Sequence, residues 1–192
     1  EVGSFDLDGM IDYAQQAEKM GIEQLLMGIG FHVPDPLAIV GSLIRATKSI
    51  KFMIAYRAGT VSPTTFVQII NTLSTLGDDR ISINMLAGIS PAEQKYYGDF
   101  LAKEKRHERL EEFLEVINEF WSQPKPVDYE GDYYTIEKGQ LKISHVGSHP
   151  PGLYVSGNSN VSRDTALRQG ATWLRYGNTL EQVAENIKPA VA

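Results

Sequence analysis

Cysteine is absent from this sequence, and several kinds of site are excluded with it. Without a thiol, these residues form no disulfide, offer no thiolate nucleophile and supply no cysteine ligand to a metal. Long apolar runs are missing too, since no stretch approaches the roughly 20 residues that a membrane-spanning helix needs. The sequence therefore predicts a cytoplasmic protein that does not insert into a membrane.

Positive charge is also scarce. Lysine and arginine number 18 against 24 aspartates and glutamates, which gives a net charge of −6. Nucleic-acid-binding faces are basic, whereas the cations here are scattered, so nucleic acid is not predicted as a partner. With 42% hydrophobic residues in 192, the composition is that of one globular domain with a sizeable core.

Helix and strand patterns alternate along the chain. The apolar spacing predicts helices over 8–20, 36–48, 63–76, 103–121, 162–170 and 180–187, and strands over 23–28, 50–56, 80–86, 152–156 and 172–176. A loop of small and polar residues follows the third strand, and a two-stranded excursion interrupts the pattern at about 124–143. The acidic face of the long helix, formed by Glu108, Glu111, Glu112 and Glu115, is predicted to be solvated.

A strand followed by a helix, several times over, predicts parallel strands with crossover helices. The alternatives are an open doubly wound sheet and a (β/α)8 barrel, and periodicity does not decide between them. In both folds the functional site lies beyond the carboxyl ends of the strands.

The stretch LLMGIGFHVPDP, Leu25 to Pro36, superficially suggests a dinucleotide-binding turn. The G-x-G-x-x-G fingerprint fails, because Val33 occupies the place of the third glycine and prolines stand where the phosphate-binding helix should begin. The better interpretation is a strand whose glycine-rich end, Gly28 and Gly30, delivers His32 to a site.

The residues at the predicted strand ends are polar and glycine-rich, and they are nearly free of carboxylates. They are Gly30, His32, Tyr56, Arg57, Gly59, Asn84, Gly88, Ser156, Gly157, Asn158, Ser159, Arg175 and Tyr176. This set lacks the paired carboxylates of glycoside chemistry and a three-ligand metal cluster. It suits a cofactor that carries its own chemistry.

Two groups of these residues have alternative interpretations. The stretch 156–159 lies between a strand and a helix, so it is either a phosphate-binding turn or an ordinary polar loop that caps the helix. Asn84 lies near the end of an otherwise apolar strand, where its amide either satisfies neighbouring backbone groups or contacts a ligand.

The charged candidates are also open to two interpretations. Arg57 is either an anion clamp or one half of a surface ion pair, and His32 is either an acid-base group or a structural histidine. His107 lies in the charged run KEKRHER, where exposure is expected. His145 and His149 have a metal-like spacing, but a glycine and a proline disfavour the helix that this spacing requires.

Four segments together resemble one known family. They are RAGTVSPTTFVQIINTLSTLGDDRISINMLAG (Arg57 to Gly88), SPAEQKYYGDFLAKEKRHERLEEFLEVINEFW (Ser90 to Trp121), DYEGDYYTIEKGQL (Asp128 to Leu141) and LYVSGNSN (Leu153 to Asn160). Their order and spacing resemble the bacterial luciferase-like flavin-dependent monooxygenases, and within them the alkanesulfonate-monooxygenase-like branch.

The resemblance implies a (β/α)8 TIM barrel that binds reduced FMN at its C-terminal face. A separate flavin reductase would supply the flavin, and O2 would react with it to give a C4a-(hydro)peroxide that oxidises a small organic substrate. Carried over by position, Asn84 and Gly88 contact the flavin, and Gly157, Asn158 and Ser159 hold its phosphate.

Further positions complete the site that the resemblance implies. His107 replaces a tyrosine that can reach the phosphate in relatives. His32 and Arg57 are the catalytic candidates that face the substrate. Val33 replaces the cysteine of sulfonate-cleaving members, and Tyr176 replaces a tryptophan, so an alkanesulfonate substrate is not implied.

Length is the largest departure from the family pattern. A complete barrel needs about 250 residues, so residues 1–192 are predicted to form one partial barrel domain without the first strand and the C-terminal part. Open sheet edges and apolar helix faces then predict a homodimer or a higher oligomer. The alternatives are a non-catalytic, flavin-binding or dimerising truncated homologue and a deazaflavin-dependent oxidoreductase.

Overall fold

The computed structural model describes residues 4–88, 90–122, 125–177 and 179–188. In chain order its elements are α1 (Leu7–Lys19), β1 (Gln24–Met27), α2 (Pro36–Ala46), β2 (Lys51–Arg57), α3 (Pro63–Gly77), β3 (Ile81–Leu86), α4 (Pro91–Tyr96), α5 (Lys103–Ser122), β4 (Val127–Glu130), β5 (Thr135–Gly139), β6 (Gly152–Ser156), α6 (Asn160–Arg168), β7 (Thr172–Leu174) and α7 (Leu180–Ile187). Every predicted helix and strand is present, with bounds that differ from the predictions by two residues or fewer.

The strand order decides between the two predicted α/β architectures. All pairings in the five-stranded sheet are parallel, and its order is β1-β2-β3-β6-β7. The strands thus follow one another across the sheet in chain order, whereas a doubly wound sheet reverses direction at a switch point. The sheet is part of the wall of a (β/α) barrel, as the barrel alternative predicted.

The two faces of this wall differ in composition. Side chains that point towards the helices are apolar and fully buried, among them Phe52, Ile54, Ile83, Met85 and Val155. Because successive side chains alternate between faces, the inner face of the barrel wall carries a more mixed set. It includes Gln24, Met53, Arg57, Ser82, Asn84, Tyr154 and Ser156 beside the apolar Leu26, Ala55 and Leu86. The core therefore lies between sheet and helices, and the inner face is left for a site.

Helix starts follow the local signals in the sequence. Ser62 caps α3 by accepting a hydrogen bond from the Thr65 amide at 3.2 Å, with Pro63 as the first helical residue. The same pair of signals, Ser90 and Pro91, begins the short helix α4 inside the segment predicted as a loop. Six residues are too few to show an apolar stripe, so periodicity did not detect this helix.

The excursion predicted at about 124–143 is the antiparallel hairpin β4–β5. It is attached to α5 by the glutamates that were predicted to be solvated, which corrects that prediction. Glu112 accepts hydrogen bonds from the amides of Asp132, Tyr133 and Tyr134 at 2.9, 2.9 and 3.2 Å. In addition, Glu108 and Glu115 accept from tyrosine hydroxyls of the hairpin, and Glu111 pairs with Arg168. An acidic helix face can bind backbone amides as well as water, and charge spacing alone does not distinguish the two.

Among the described helices, none combines the length and apolar character needed to cross a membrane.

Candidate functional site

The carboxyl ends of β2, β3 and β6 bring the predicted polar residues to one edge of the sheet. The strand register pairs Arg57 with Leu86 and Asn84 with Tyr154. Asn84 is 3% exposed, and its Oδ1 accepts a hydrogen bond from the Ser156 hydroxyl at 2.7 Å. The partner of Asn84 is therefore a side chain of the next strand rather than the neighbouring backbone, and its amide nitrogen remains the group with which it can donate.

The turn after β6 is held by backbone bonds to β7. Gly157 has φ 149° and donates its amide to Leu174 at 3.1 Å, while its carbonyl accepts from Trp173 Nε1 at 2.7 Å. A Cβ at position 157 would lie 2.2 Å from the Ser162 hydroxyl. Glycine is thus required here by both the backbone angle and the contact with α6.

Asn158 and Ser159 follow Gly157 and connect this turn to the start of α6. Ser159 is the N-cap, and its hydroxyl accepts from the Ser162 amide at 3.2 Å. The Asn158 side chain accepts from the Tyr176 amide at 3.3 Å. The helix-capping interpretation is correct for Ser159, and the helix N-terminus it caps is still a site that favours an anion.

His107 on α5 departs from the expected exposure. It is half-buried, and its Nδ1 is buried without a hydrogen-bond partner among the described residues. Burial lowers the pKa of the imidazole, and the positive charges of Lys103 and Arg106 lower it further. A buried ring nitrogen that lacks a partner is a candidate to meet a ligand.

Gly88, at the end of β3, has φ 92° and lies against a buried glutamine. A Cβ at position 88 would come within 2.5 Å of Gln94 Nε2, which has no partner within the described ranges. Arg106 holds the same turn by donating to the carbonyls of Ala87 at 3.1 Å and Gly88 at 3.3 Å. The turn after β3 is therefore fixed by α4 and α5.

Arg57 is neither an open anion clamp nor half of a surface pair. Its side chain is 4% exposed, and Nη2 lies 3.3 Å from Glu93 Oε1 on α4. The guanidinium also lies over the Tyr97 ring, 4.4 Å from its centroid. The same carboxylate oxygen accepts from the Phe31 amide at 3.2 Å, which ties the loop after β1 to the end of β2.

His32, the other catalytic candidate, lies on that loop and is exposed. Its ring meets the Phe31 ring edge to face, with 5.2 Å between centroids. His32 thus lies on a loop that Glu93 connects to Arg57 at the end of β2.

Sequence reasoning missed the contribution of the segment 90–99. Glu93 and Tyr97 reach Arg57, and Asp99 forms an ion pair with Arg109 at 2.5 Å. The strand ends themselves looked almost free of carboxylates, because both acids come from the segment after β3. The Ser-Pro start of α4 was the signal that could have revealed a structured segment here.

The described residues contain no group of three or more histidine, cysteine, aspartate or glutamate side chains that could hold a metal. Of the two histidines with metal-like spacing, His145 lies 3.1 Å from Asp79, and burial lowers its pKa. His149 is exposed. A cavity of about 340 Å³ at these histidines is lined by Trp121, by residues 139–141 and 143–145 and by residues 147–150, and by none of the predicted site residues.

The family model described as "Luciferase-like monooxygenase" matches residues 1–190 of the chain. The chain belongs to the luciferase-like monooxygenase family. This membership confirms the family-level resemblance and the barrel fold that was expected from it.

Solved structures support the same fold. EDTA monooxygenase (EmoA) from Chelativorans sp. BNC1 is 22% identical with a TM-score of 0.86, and the match covers 97% of this chain and 54% of that one. The oxygenating constituent of 3,6-diketocamphane monooxygenase from Pseudomonas putida, solved in complex with FMN, is 23% identical with a TM-score of 0.80, over 95% and 55%. An F420-dependent secondary alcohol dehydrogenase is 21% identical with a TM-score of 0.82, over 97% and 62%. The chain spans between half and two thirds of the length of these proteins.

Proposed function

We propose that this chain is the flavin-binding part of an FMN- and O2-dependent monooxygenase that oxidises a small organic substrate. The observation that carries the proposal is the unpartnered, buried Nδ1 of His107 in a member of the luciferase-like monooxygenase family. When bound, reduced FMN supplies the electrons that activate O2. The protein has to bind the flavin, orient it and keep water from it.

The residues at the strand edge fit such a cofactor. Asn84 is held by Ser156 and can donate its amide to the polar edge of the flavin ring, and Gly88 allows close approach. For the phosphate, we propose the turn formed by Gly157, Asn158 and Ser159 at the start of α6.

His107 is our second candidate for the phosphate. Its lowered pKa means that the imidazole is mostly neutral at pH 7 in the free protein. A phosphate beside it would favour the protonated form, so phosphate binding and proton uptake are coupled. The imidazole then donates a charge-assisted hydrogen bond.

On the substrate side we propose His32 and Arg57. His32 offers an exposed imidazole on the loop after β1 that can hold or move a proton. Arg57 contacts Glu93 and Tyr97. Its role is therefore to hold in place α4 and the loop after β1, which border the substrate.

The remaining expectations extend the same proposal. A separate flavin reductase supplies reduced FMN, and the protein forms a homodimer or larger assembly in the cytoplasm. Assembly is supported by β1 and β7, each of which pairs on one side only within the described sheet. The segments quoted from Arg57 to Trp121 support the alkanesulfonate-monooxygenase-like branch, with a substrate other than an alkanesulfonate.

A deazaflavin-dependent oxidoreductase is the second candidate function. It is supported by the structural match to the F420-dependent alcohol dehydrogenase, which shares the fold. The two cofactors carry different tails, so parallel titrations with F420 and FMN separate the candidates. A non-catalytic, truncated homologue predicts cofactor binding or dimerisation without substrate oxidation.

The test is a titration of the purified full-length protein with FMN, and anaerobically with reduced FMN, followed by absorbance and fluorescence. Reduced FMN should bind, and His107→Ala should weaken binding about tenfold, as expected for loss of one charge-assisted hydrogen bond. His149→Ala is the matched control and should leave the affinity unchanged. Absence of flavin binding by the wild-type protein would overturn the proposal, and unchanged binding by His107→Ala would overturn the phosphate assignment.

A further inference from the structure

The guanidinium at the substrate side is not available to an anion. The Arg57 side chain is 4% exposed, with Nη2 at 3.3 Å from a Glu93 carboxylate oxygen. The Tyr97 ring covers the guanidinium, with 4.4 Å between Arg57 Cζ and the ring centroid. The Nε of Arg57 is buried as well. A substrate sulfonate or carboxylate would have to displace Glu93 before it could pair with Arg57.

Glu93 is itself held in place by the loop after β1. Its Oε1 accepts a hydrogen bond from the Phe31 amide in addition to the bond from Arg57. The Phe31 ring meets the Tyr96 ring edge to face, with 5.5 Å between centroids. These contacts fix the carboxylate where it neutralises Arg57, so exchange with a substrate anion would break several interactions at once.

Around this neutralised pair the exposed surface is aromatic. Phe31 is 65% exposed, Tyr96 is 68% exposed and Tyr97 is 46% exposed. We call these three residues the aromatic rim. The rings of Phe31 and Tyr96 already contact each other, and exposed rings offer faces and edges on which a further planar ring can stack. The aromatic rim borders the same strand end at which we place the substrate.

We propose that Glu93 sets the charge preference of the substrate side, so that the site takes an uncharged aromatic molecule in preference to an aromatic anion of the same size. This inference rests on the proposed function, because it concerns the substrate of that same site. The physical reason is that an anion brought onto the aromatic rim loses water without gaining Arg57 as a partner, because Glu93 already neutralises that guanidinium. It would also face the Glu93 carboxylate.

The test compares two probes that share a ring system, 2-naphthol and 2-naphthalenesulfonate. Flavin affinity is measured first, and each probe is then titrated into the FMN-loaded protein by calorimetry at pH 7. The wild-type protein should bind 2-naphthol at least about tenfold more tightly than the sulfonate, the difference expected when a charged group is desolvated without a partner.

Glu93→Gln is the decisive variant. Glutamine keeps the size of the side chain and can still accept from the Phe31 amide, but it leaves the Arg57 charge without compensation. Affinity for the sulfonate should rise about tenfold while affinity for 2-naphthol changes little. In the double variant Arg57→Gln/Glu93→Gln the gain should disappear, which assigns it to Arg57.

Two further variants keep the test decisive. Glu137→Gln, at an exposed position on β5, is the matched control and should change neither probe affinity. If Glu93→Gln does not fold, Tyr97→Leu uncovers Arg57 but leaves Glu93 paired with it. Sulfonate affinity should then not rise, and a rise would overturn the inference by showing that cover by Tyr97, rather than the charge of Glu93, excludes the anion.

The outcomes separate this inference from the proposed function. Absence of FMN binding overturns the proposed function. With FMN bound, three further results overturn the inference alone: sulfonate binding as tight as that of 2-naphthol, no binding of either probe, or an unchanged ratio of affinities in Glu93→Gln.

Discussion

The Ser156 hydroxyl donates to Asn84 Oδ1 across 2.7 Å and thereby joins the ends of β6 and β3 on the inner face of the barrel wall. The bond fixes which way the Asn84 amide is turned. The Asn84 side chain is only 3% exposed, so water offers it few alternative hydrogen-bond partners. The orientation of the proposed flavin-binding amide thus depends on a residue of another strand.

Removal of that hydroxyl should affect both folding and flavin affinity. Ser156→Ala leaves Asn84 Oδ1 buried without its donor, which should cost about 1–3 kcal/mol of unfolding free energy. FMN affinity should fall as well, because the amide loses its orientation. Urea denaturation and flavin titration measure the two effects, with Ser156→Thr as the control that keeps a hydroxyl. If Ser156→Ala matched the wild-type protein in both, the bond would have no role.

Glu112 should be a major anchor of the β4–β5 hairpin. It accepts hydrogen bonds from three consecutive backbone amides, 132–134. Glu112→Gln removes the charge and replaces one acceptor oxygen with a donor, so unfolding free energy should fall by about 1–3 kcal/mol. Urea denaturation is the measurement, and Glu137→Gln is the control. Equal stability of Glu112→Gln and Glu137→Gln would show that water replaces these bonds without cost.

Glu18 should make the stability of the protein depend on acidic pH. It accepts from the amides of Ser49, Ile50 and Lys48 at 2.5, 2.9 and 3.0 Å, and the bond from the Ser49 amide contributes most to lowering its pKa from 4.5 to about 2. The native state therefore favours the ionised form. Its contribution is complete above pH 4.5 and is lost as the pH falls towards 2.

The variant Glu18→Gln isolates this contribution. At pH 7 it should be less stable than the wild-type protein by about 1–2 kcal/mol, a value discounted because the carboxylate is partly exposed. The difference should shrink as the pH falls from 4.5 to 2. Denaturation curves at a series of pH values measure it. A constant difference across that range would contradict the assignment of the lowered pKa to Glu18.

Alanine substitutions at Gly157 and Gly170 distinguish the cost of backbone strain from the cost of a steric clash. Both have positive φ, 149° and 63°, but a Cβ meets Ser162 at position 157, whereas at position 170 it meets nothing within 4 Å. Gly170→Ala should cost about 1 kcal/mol, the strain alone. Gly157→Ala should cost about 2–4 kcal/mol, since a displaced Ser162 adds to the strain. Thermal or urea unfolding measures both variants, and equal losses would mean that Ser162 moves without cost.

Many of the element boundaries were predictable because their signals are local. Ser62 and Pro63 begin α3 through a side-chain cap and a fixed φ, and the strand 152–156 is bounded as its apolar run indicates. Such signals act within a few residues, so the sequence alone contains them. The parallel, alternating architecture followed from the same elements.

The environment of the site residues depended on contacts between distant parts of the chain. Asn84 and Ser156 are separated by 72 residues, and Arg57 and Glu93 by 36. Arg57 was open to interpretation as a clamp or a surface pair because its neighbours in sequence do not include the carboxylate that neutralises it. The composition and periodicity of the sequence determined which elements form and which strand ends carry polar side chains. Only the tertiary structure decided which of these polar groups are paired, because strand register and the docking of α4 bring the partners together.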